Sequence, residues 1–206
     1  GGNPGNYGTQ GVPSVTNHPP AFYEACEWTD LQGNFWMYGG LNLGASAIYP
    51  NAMWKFDPFT NMWTWMQGSL LSWQVPVFGT KGISSPSNTP GTKFFGNCTF
   101  TDTIGNLWLI FGYSNPGGEY NTLWKYDIGI NEWTWMSGDT ISWSPGQYGT
   151  QGIPSINNIP PGRSEAVTAW VDNQNNFWTF GGSSFAGGGN MNDLWRYTPS
   201  TGEWTW

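Results

Sequence analysis

The chain has 206 residues, a formal net charge of −7, and a composition rich in aromatics (18%, with 16 Trp) and poor in charge (9%). Its 30 Gly and 15 Pro exclude a coiled coil or helical bundle, which needs uninterrupted runs of helix formers. So many large rings can fill a core, which argues against disorder, and no run approaches the roughly 18 apolar residues of a spanning helix.

Six basic residues, Lys55, Lys81, Lys93, Lys125, Arg163 and Arg196, stand singly. The expectation is therefore no nucleic-acid partner and no membrane insertion, since neither phosphate nor anionic lipid meets a basic stripe. One His (His18) and two Cys (Cys26, Cys98) are too few to build a structural zinc site, so no metal and no cofactor are expected. The chain opens at Gly1 rather than Met, which reads as a processed or excised piece.

In chain order, the first predicted elements are short strands near 21–29, 34–39, 52–57 and 62–66. They show the strand period of two, as in Trp54-Lys55-Phe56 and Trp63-Thr64-Trp65. Asp30-Leu31-Gln32-Gly33-Asn34 reads as a tight hairpin turn. Asp57-Pro58-Phe59-Thr60-Asn61 places Pro for a turn and Asn where positive φ is tolerated. The same set then returns twice. Met-Trp-Lys-Phe-Asp at 53–57 recurs as Leu-Trp-Lys-Tyr-Asp at 123–127 and Leu-Trp-Arg-Tyr-Thr at 194–198. Asn-Met-Trp-Thr-Trp at 61–65 recurs at 131–135 and 202–206, and Tyr-Gly-Thr-Gln-Gly at 7–11 recurs at 78–82 and 148–152. Three units, 1–68, 69–138 and 139–206, fill the chain.

Four antiparallel strands with a double Gly, then Tyr/Phe-Asp and a late Trp, resemble the kelch repeat, most closely the long Trp-rich units of bacterial surface and secreted proteins. Gly39-Gly40, Phe56-Asp57 and Trp63 carry the resemblance in unit one, and Gly181-Gly182, Tyr197 and Trp204 in unit three. Unit two departs with Gly112-Tyr113, and unit three has Thr198 in place of the Asp. The resemblance implies an all-β, kelch-type β-propeller segment with one four-stranded blade per unit. Propellers close with roughly four to eight blades. Three would leave two aromatic faces open, so the chain is read either as part of a larger propeller or as half of a three-plus-three homo-oligomer.

In a four-stranded meander, the links into strand one (67–92, 137–162) and the strand two-to-three loops (41–51, 113–121, 183–192) emerge on one side. Long loops on a rigid scaffold are where binding residues concentrate. Trp73, Trp143, Tyr7, Phe78 and Tyr148 are the candidate ligand-binding residues of that side. Rings stack on the C–H faces of sugars while neighbouring amides bond hydroxyls; alternatively these rings pack the loops onto the blades. Lys55, Lys125 and Arg196 read as cation–π partners of blade tryptophans, and Asp30, Asp102 and Asp172 as turn residues bonding their own backbone. Cys26 and Cys98 occupy equivalent strand positions and should be free, buried thiols. Asn97-Cys98-Thr99 is a sequon inside a predicted strand. Glu24, Glu27 and Glu165, on predicted first strands, form no repeated carboxylate pair, and no nucleophile or phosphate motif is present. The resulting expectation is a non-catalytic, extracellular or cell-surface binding and adhesion module, taking a glycan or protein ligand through the long-loop face. The competing one is a structural repeat of an extracellular filament or appendage.

Overall fold

The computed structural model describes residues 3–42, 49–114, 116–165, 167–185 and 188–206, and among these there is no helix. Sheet I is formed by β1 (Cys26–Thr29), β2 (Phe35–Tyr38), β3 (Met53–Asp57) and β4 (Met62–Gln67), each antiparallel to the next. Sheet II runs β5 (Phe94–Thr101), β6 (Leu107–Ser114), β8 (Leu123–Asp127) and β9 (Glu132–Ser137), with β7 (Gly118–Glu119) pairing on the end of β6. Sheet III comprises β10 (Thr168–Val171), β11 (Phe177–Phe180), β14 (Leu194–Thr198) and β15 (Glu203–Thr205). A two-stranded hairpin, β12 (Ser183–Ser184) with β13 (Gly189–Asn190), fills the loop before β14. Residues 43–48, 115 and 186–187 of the three predicted strand two-to-three loops lie outside the described residues.

Local chemistry closes each meander. In the first hairpin, Asp30 Oδ1 accepts the backbone N–H of Gln32 (3.0 Å) and Asn34 (2.8 Å), and Oδ2 accepts Asn34 Nδ2 (2.8 Å) and Trp36 Nε1 (2.7 Å). Asp102 and Asp172 repeat the pattern. The β3–β4 turn ends on a left-handed residue in every unit: Asn61 (φ 57°), Asn131 (φ 58°) and Gly202 (φ 73°), types that tolerate that conformation. The first strand of sheet I is shorter than predicted. Glu24 has a φ of 56°, which turns the backbone out of the extended region, and pairing resumes only at Cys26. Glu165 (φ 65°) does the same ahead of β10, so neither glutamate lies on a strand.

β5 lies between β1 and β10, making β1, β5 and β10 the inner edge on which the three sheets stack face to face. Alternation then sorts the rings. Trp28, Trp36, Tyr38 and Met53 of sheet I pack on Leu107, Leu109, Trp124, Tyr126 and Trp133 of sheet II. Phe100, Trp108, Ile110 and Leu123, on the other side of sheet II, pack on Phe177, Trp195, Tyr197 and Trp204 of sheet III. Each buried aromatic removes roughly 150–250 Å2 from water, the main stabilisation available to a chain this poor in charge. The architecture is all-β and propeller-like.

The segments linking the sheets are not free loops. Residues 6–18, 77–89 and 147–159 form arms, each bridged across its base and laid along the outer strand of the sheet it precedes. Ser14 pairs with Trp63, Ser85 with Trp133 and Ser155 with Trp204. Asn17, Asn88 and Asn158 latch the arms: each Nδ2 donates to the carbonyl of Trp63, Trp133 or Trp204 at 2.9–3.2 Å. An uncovered outer strand would offer unpaired backbone groups to other chains, and the arms cover it.

Candidate functional site

The long-loop side carries one continuous string of rings. Trp73 lies on Tyr49 (centroids 4.3 Å apart), Tyr49 on Phe94 (5.3 Å), Phe94 against Tyr113 (5.5 Å), Tyr113 against Trp143 (5.9 Å) and Trp143 against Phe185 (6.0 Å). A branch runs from Phe94 through Phe95 (4.9 Å) to Tyr23 (6.0 Å). The seam crosses all three units, because Tyr23 and Tyr49 precede sheet II and Phe185 belongs to the loop of sheet III. Its members are unevenly wet: Phe185 is 74% exposed, Tyr23 53%, Trp73 44% and Trp143 42%, while Phe94 is buried beneath them.

Backbone geometry aims the two tryptophans. Trp73 (φ 67°) and Trp143 (φ 60°) both sit in the left-handed region, unusual for an aromatic residue. The Trp143 N–H donates to the carbonyl of Glu119 at 2.8 Å, holding the link against β7. Its ring then rests on Gly118, where a Cβ would come within 2.2 Å of the indole, so the seat exists only because position 118 has no side chain.

Beside the branch, a hollow of about 570 Å3 opens between the approaches to β1, β5 and β10, lined by Tyr23, Glu24, Phe95, Asn97 and Glu165. Glu24, Phe95 and Glu165 are the equivalent residues of the three units, and all three have positive φ (56°, 50° and 65°). For Glu and Phe this region is strained by about 1–3 kcal/mol each, so the surrounding packing holds these three residues in place. Two exposed carboxylates and the Asn97 amide thus share a cleft with the rings of Tyr23 and Phe95.

Two buried cations lie at equivalent positions just ahead of β5 and in the approach to β10. Arg163, fully buried, pairs with both oxygens of Asp193 at 2.9 Å, donates to the Gly181 carbonyl at 2.7 Å and lies over Phe111 at 5.0 Å. Burial alone would raise the Asp193 carboxyl, but the Arg163 guanidinium and the Trp195 and Tyr148 donors hold it below the usual carboxylate range. Lys93, also fully buried, has no hydrogen-bond partner among the described residues and stands 4.7 Å from the centre of the Tyr120 ring. Burial pushes its ammonium down to about 7, against a smaller opposing pull from Cys26. Cys26 and Cys98 are free and buried; burial pushes both thiols up, Cys98 to about 12. Among the described residues, no group of three or more His, Cys, Asp or Glu is arranged to hold a metal ion.

Of the five candidate binding residues, the structure brings Trp73 and Trp143 into the seam and places the other three elsewhere. Tyr7 packs on Trp54 (4.7 Å) and Trp65 (5.3 Å), Phe78 on Trp124 (5.5 Å) and Trp135 (5.1 Å), and Tyr148 on Trp195 (5.1 Å) and Trp206 (5.0 Å). Each is the half-buried root of an edge arm. Lys55 stands over Trp36 (5.8 Å) and Arg196 over Trp178 (5.6 Å), within cation–π reach. The sequon falls within β5, against sheets on both sides. Sequence reasoning missed Tyr23, Tyr49, Phe94, Tyr113 and Phe185. They are not aromatic in every unit: Tyr23 and Phe94 correspond to Ser164, and Tyr113 to Leu41 and Ser183, so the repeat that exposed the other rings hid these.

The fold and site define an all-β, propeller-like protein whose long-loop side presents an aromatic seam beside a carboxylate-lined hollow. No family model matches the chain, and no curated protein does. Among solved structures it is similar to one described as "Structure of YjhT", at 14% identity and a TM-score of 0.58. The match covers 92% of this chain and 53% of that one, so this chain spans about half the length of that neighbour; the likeness is one of fold.

Proposed function

We propose that the three sheets are blades of a kelch-type propeller and that the protein is a non-catalytic, extracellular or cell-surface module that binds a glycan through its long-loop side. The observation carrying this reading is the seam, with Trp73, Trp143, Tyr23 and Phe185 exposed along one connected row of rings. Flat aromatic surfaces stack on the C–H faces of sugar rings and bury them without needing charge. Glu24, Glu165 and Asn97 supply acceptors and donors for hydroxyl groups at the edge of the same surface. The sequence supports the extracellular setting through its low charge and its wealth of Asn, Thr, Ser and Gly.

The test is retention of the 206-residue chain on a glycan array and in polysaccharide-loaded native gels. Retention that is lost in the Trp73→Ala/Trp143→Ala double variant, with the fold intact by circular dichroism, supports the reading. Absence of retention on every polysaccharide, or retention unchanged in the double variant, overturns it.

A further inference from the structure

The two terminal sheets each present one uncovered face, and the two faces are the halves of a contact the chain already makes twice. On sheet III the uncovered face carries Trp170, Trp178, Phe180, Leu194 and Arg196. Trp170 and Trp178 are stacked at 6.2 Å with planes 2° apart. Trp170 is 43% exposed, Phe180 46% and Leu194 41%. The equivalent residues of sheet II, Phe100, Ile110 and Leu123, are at most 3% exposed because sheet III covers them. On sheet I the uncovered face carries Phe35, Met37, Phe56, Trp63 and Glu27. Phe35 is 49% exposed, whereas Leu107 and Phe177, its counterparts, are at 0%. Hollows of about 940 Å3 on sheet III and about 520 Å3 on sheet I mark the two open faces.

We propose that the uncovered face of sheet III receives the uncovered face of sheet I from a second copy of this chain, and that two such contacts close a ring of two chains. The internal contacts say which groups meet. Phe100 stacks on Phe177 at 4.7 Å, so Trp170 meets Phe35 of the second copy. Trp108 packs on Tyr197 at 5.9 Å and Trp36 on Tyr126 at 5.7 Å, so Trp178 meets Phe56. Tyr38 packs on Trp133 at 5.2 Å, so Phe180 meets Trp63. One polar bond transfers as well. Trp28 Nε1 donates to the Trp108 carbonyl at 2.9 Å across the first contact. Trp170 is the sheet III counterpart of Trp28, and Trp36 the sheet I counterpart of Trp108. The Trp170 indole therefore donates to the Trp36 carbonyl of the second copy.

Complementarity and area favour a second copy as the occupant. The sheet III face carries a cation, Arg196, and the sheet I face an anion, Glu27. Each face displays several large rings, and a soluble monomer seldom leaves apolar patches of several hundred Å2 uncovered. A specific interface buries roughly 1,200–2,000 Å2, and two such contacts bring four of these faces together. A face that meets a different face generates an open filament unless the rotation closes. Two chains of three sheets close when each sheet-to-sheet step is one sixth of a turn, and the solved neighbour, of which this chain covers 53%, has room for a fold of about twice this size.

The experiment is light scattering on the size-fractionated 206-residue chain. The expected mass is twice 22.8 kDa. Phe180→Asp and Phe35→Asp should each return it to a single chain with an unchanged far-ultraviolet spectrum. Trp170→Phe, which keeps an aromatic ring at the contact while removing the indole N–H with its pyrrole ring, keeps the proposal testable if an Asp variant fails to fold. It should raise the dissociation constant by roughly threefold to tenfold per contact. A wild-type mass of one chain up to about 100 µM, open-ended polymers, or a dimer indifferent to all three substitutions would overturn the proposal.

Discussion

The Asp102 carboxylate accepts the indole N–H of Trp108 at 2.8 Å, and this one bond ties the β5–β6 turn to the sheet interior. The same carboxylate accepts the backbone N–H and side-chain amide of Asn106, both at 2.8 Å, and the Ile104 N–H at 3.1 Å. Asp30 with Trp36 and Asp172 with Trp178 repeat the relationship at 2.7 Å. A turn residue that bonds its own backbone would need only one of these oxygens. The second orients a tryptophan, and in sheets I and II the neighbouring sheet packs against it.

Removing this acceptor strands several donors in a place water cannot reach. Asp102→Ala is therefore expected to cost about 2–4 kcal/mol, while Asp102→Asn, which keeps one oxygen, costs less. Chemical denaturation followed by tryptophan fluorescence measures both.

Acid should loosen the protein through the same motif. Burial alone would raise the Asp30 and Asp172 carboxyls, but the donors from Trp36, Asn34, Trp178 and Asn176 outweigh it. Asp30 is held below the usual range and Asp172 at about 2. Groups whose folded pKa lies below the unfolded one add stability above the unfolded value, about 3.9, and lose it as pH falls. The stability they contribute should thus be lost between pH 4 and 2. A denaturation series across that window, with Asp30→Asn showing a shallower pH slope, checks it.

Lys93 points the other way. Its ammonium is depressed to about 7 in the folded protein, so the unfolded chain binds more protons between that value and about 10.4, and stability rises with pH across the window. Lys93→Met fills the same space without a charge. It is expected to stabilise the protein at pH 6 by on the order of a few kcal/mol and to flatten the rise. A Lys93→Met protein less stable than wild type at pH 6 would count against this account.

Two sets of aromatic residues that look alike in the repeat should separate cleanly. Phe78→Ala removes the root of an edge arm from Trp124 and Trp135 and is expected to cost about 1–3 kcal/mol, leaving glycan retention unchanged. Trp73→Ala, at a 44% exposed seam position, should do the opposite. Gly118→Ala should unseat Trp143 and reduce retention with little loss of secondary structure. Melting temperature and retention, measured on the same three proteins, decide the matter.

The recurrence of Trp54, Trp124 and Trp195 and of the Asp-to-Asn turns made most of the strands and their antiparallel order legible in the sequence. These features arise from local rules that act identically in each copy. Alternation assigns rings to faces, Asp closes a hairpin on its own backbone, and Asn or Gly accepts positive φ at the β3–β4 turn. The edge arms were half legible. Their Tyr-Gly-Thr-Gln-Gly motif is plain, but its use as a cover for the outer strand depends on Asn17, Asn88 and Asn158 reaching main-chain carbonyls about 46 residues away.

Apart from Trp73 and Trp143, the candidate site lay beyond the repeat. Tyr49, Phe94, Tyr113 and Phe185 share no period, and Glu24, Phe95 and Glu165 share a left-handed backbone but not a residue type. By itself the sequence determined what each unit would become, because hydrogen bonds and alternation operate over a few residues. Only the tertiary structure decided which rings of different units meet. That depends on how three sheets lean on a common inner edge, a relation set by packing across distances the local pattern does not encode.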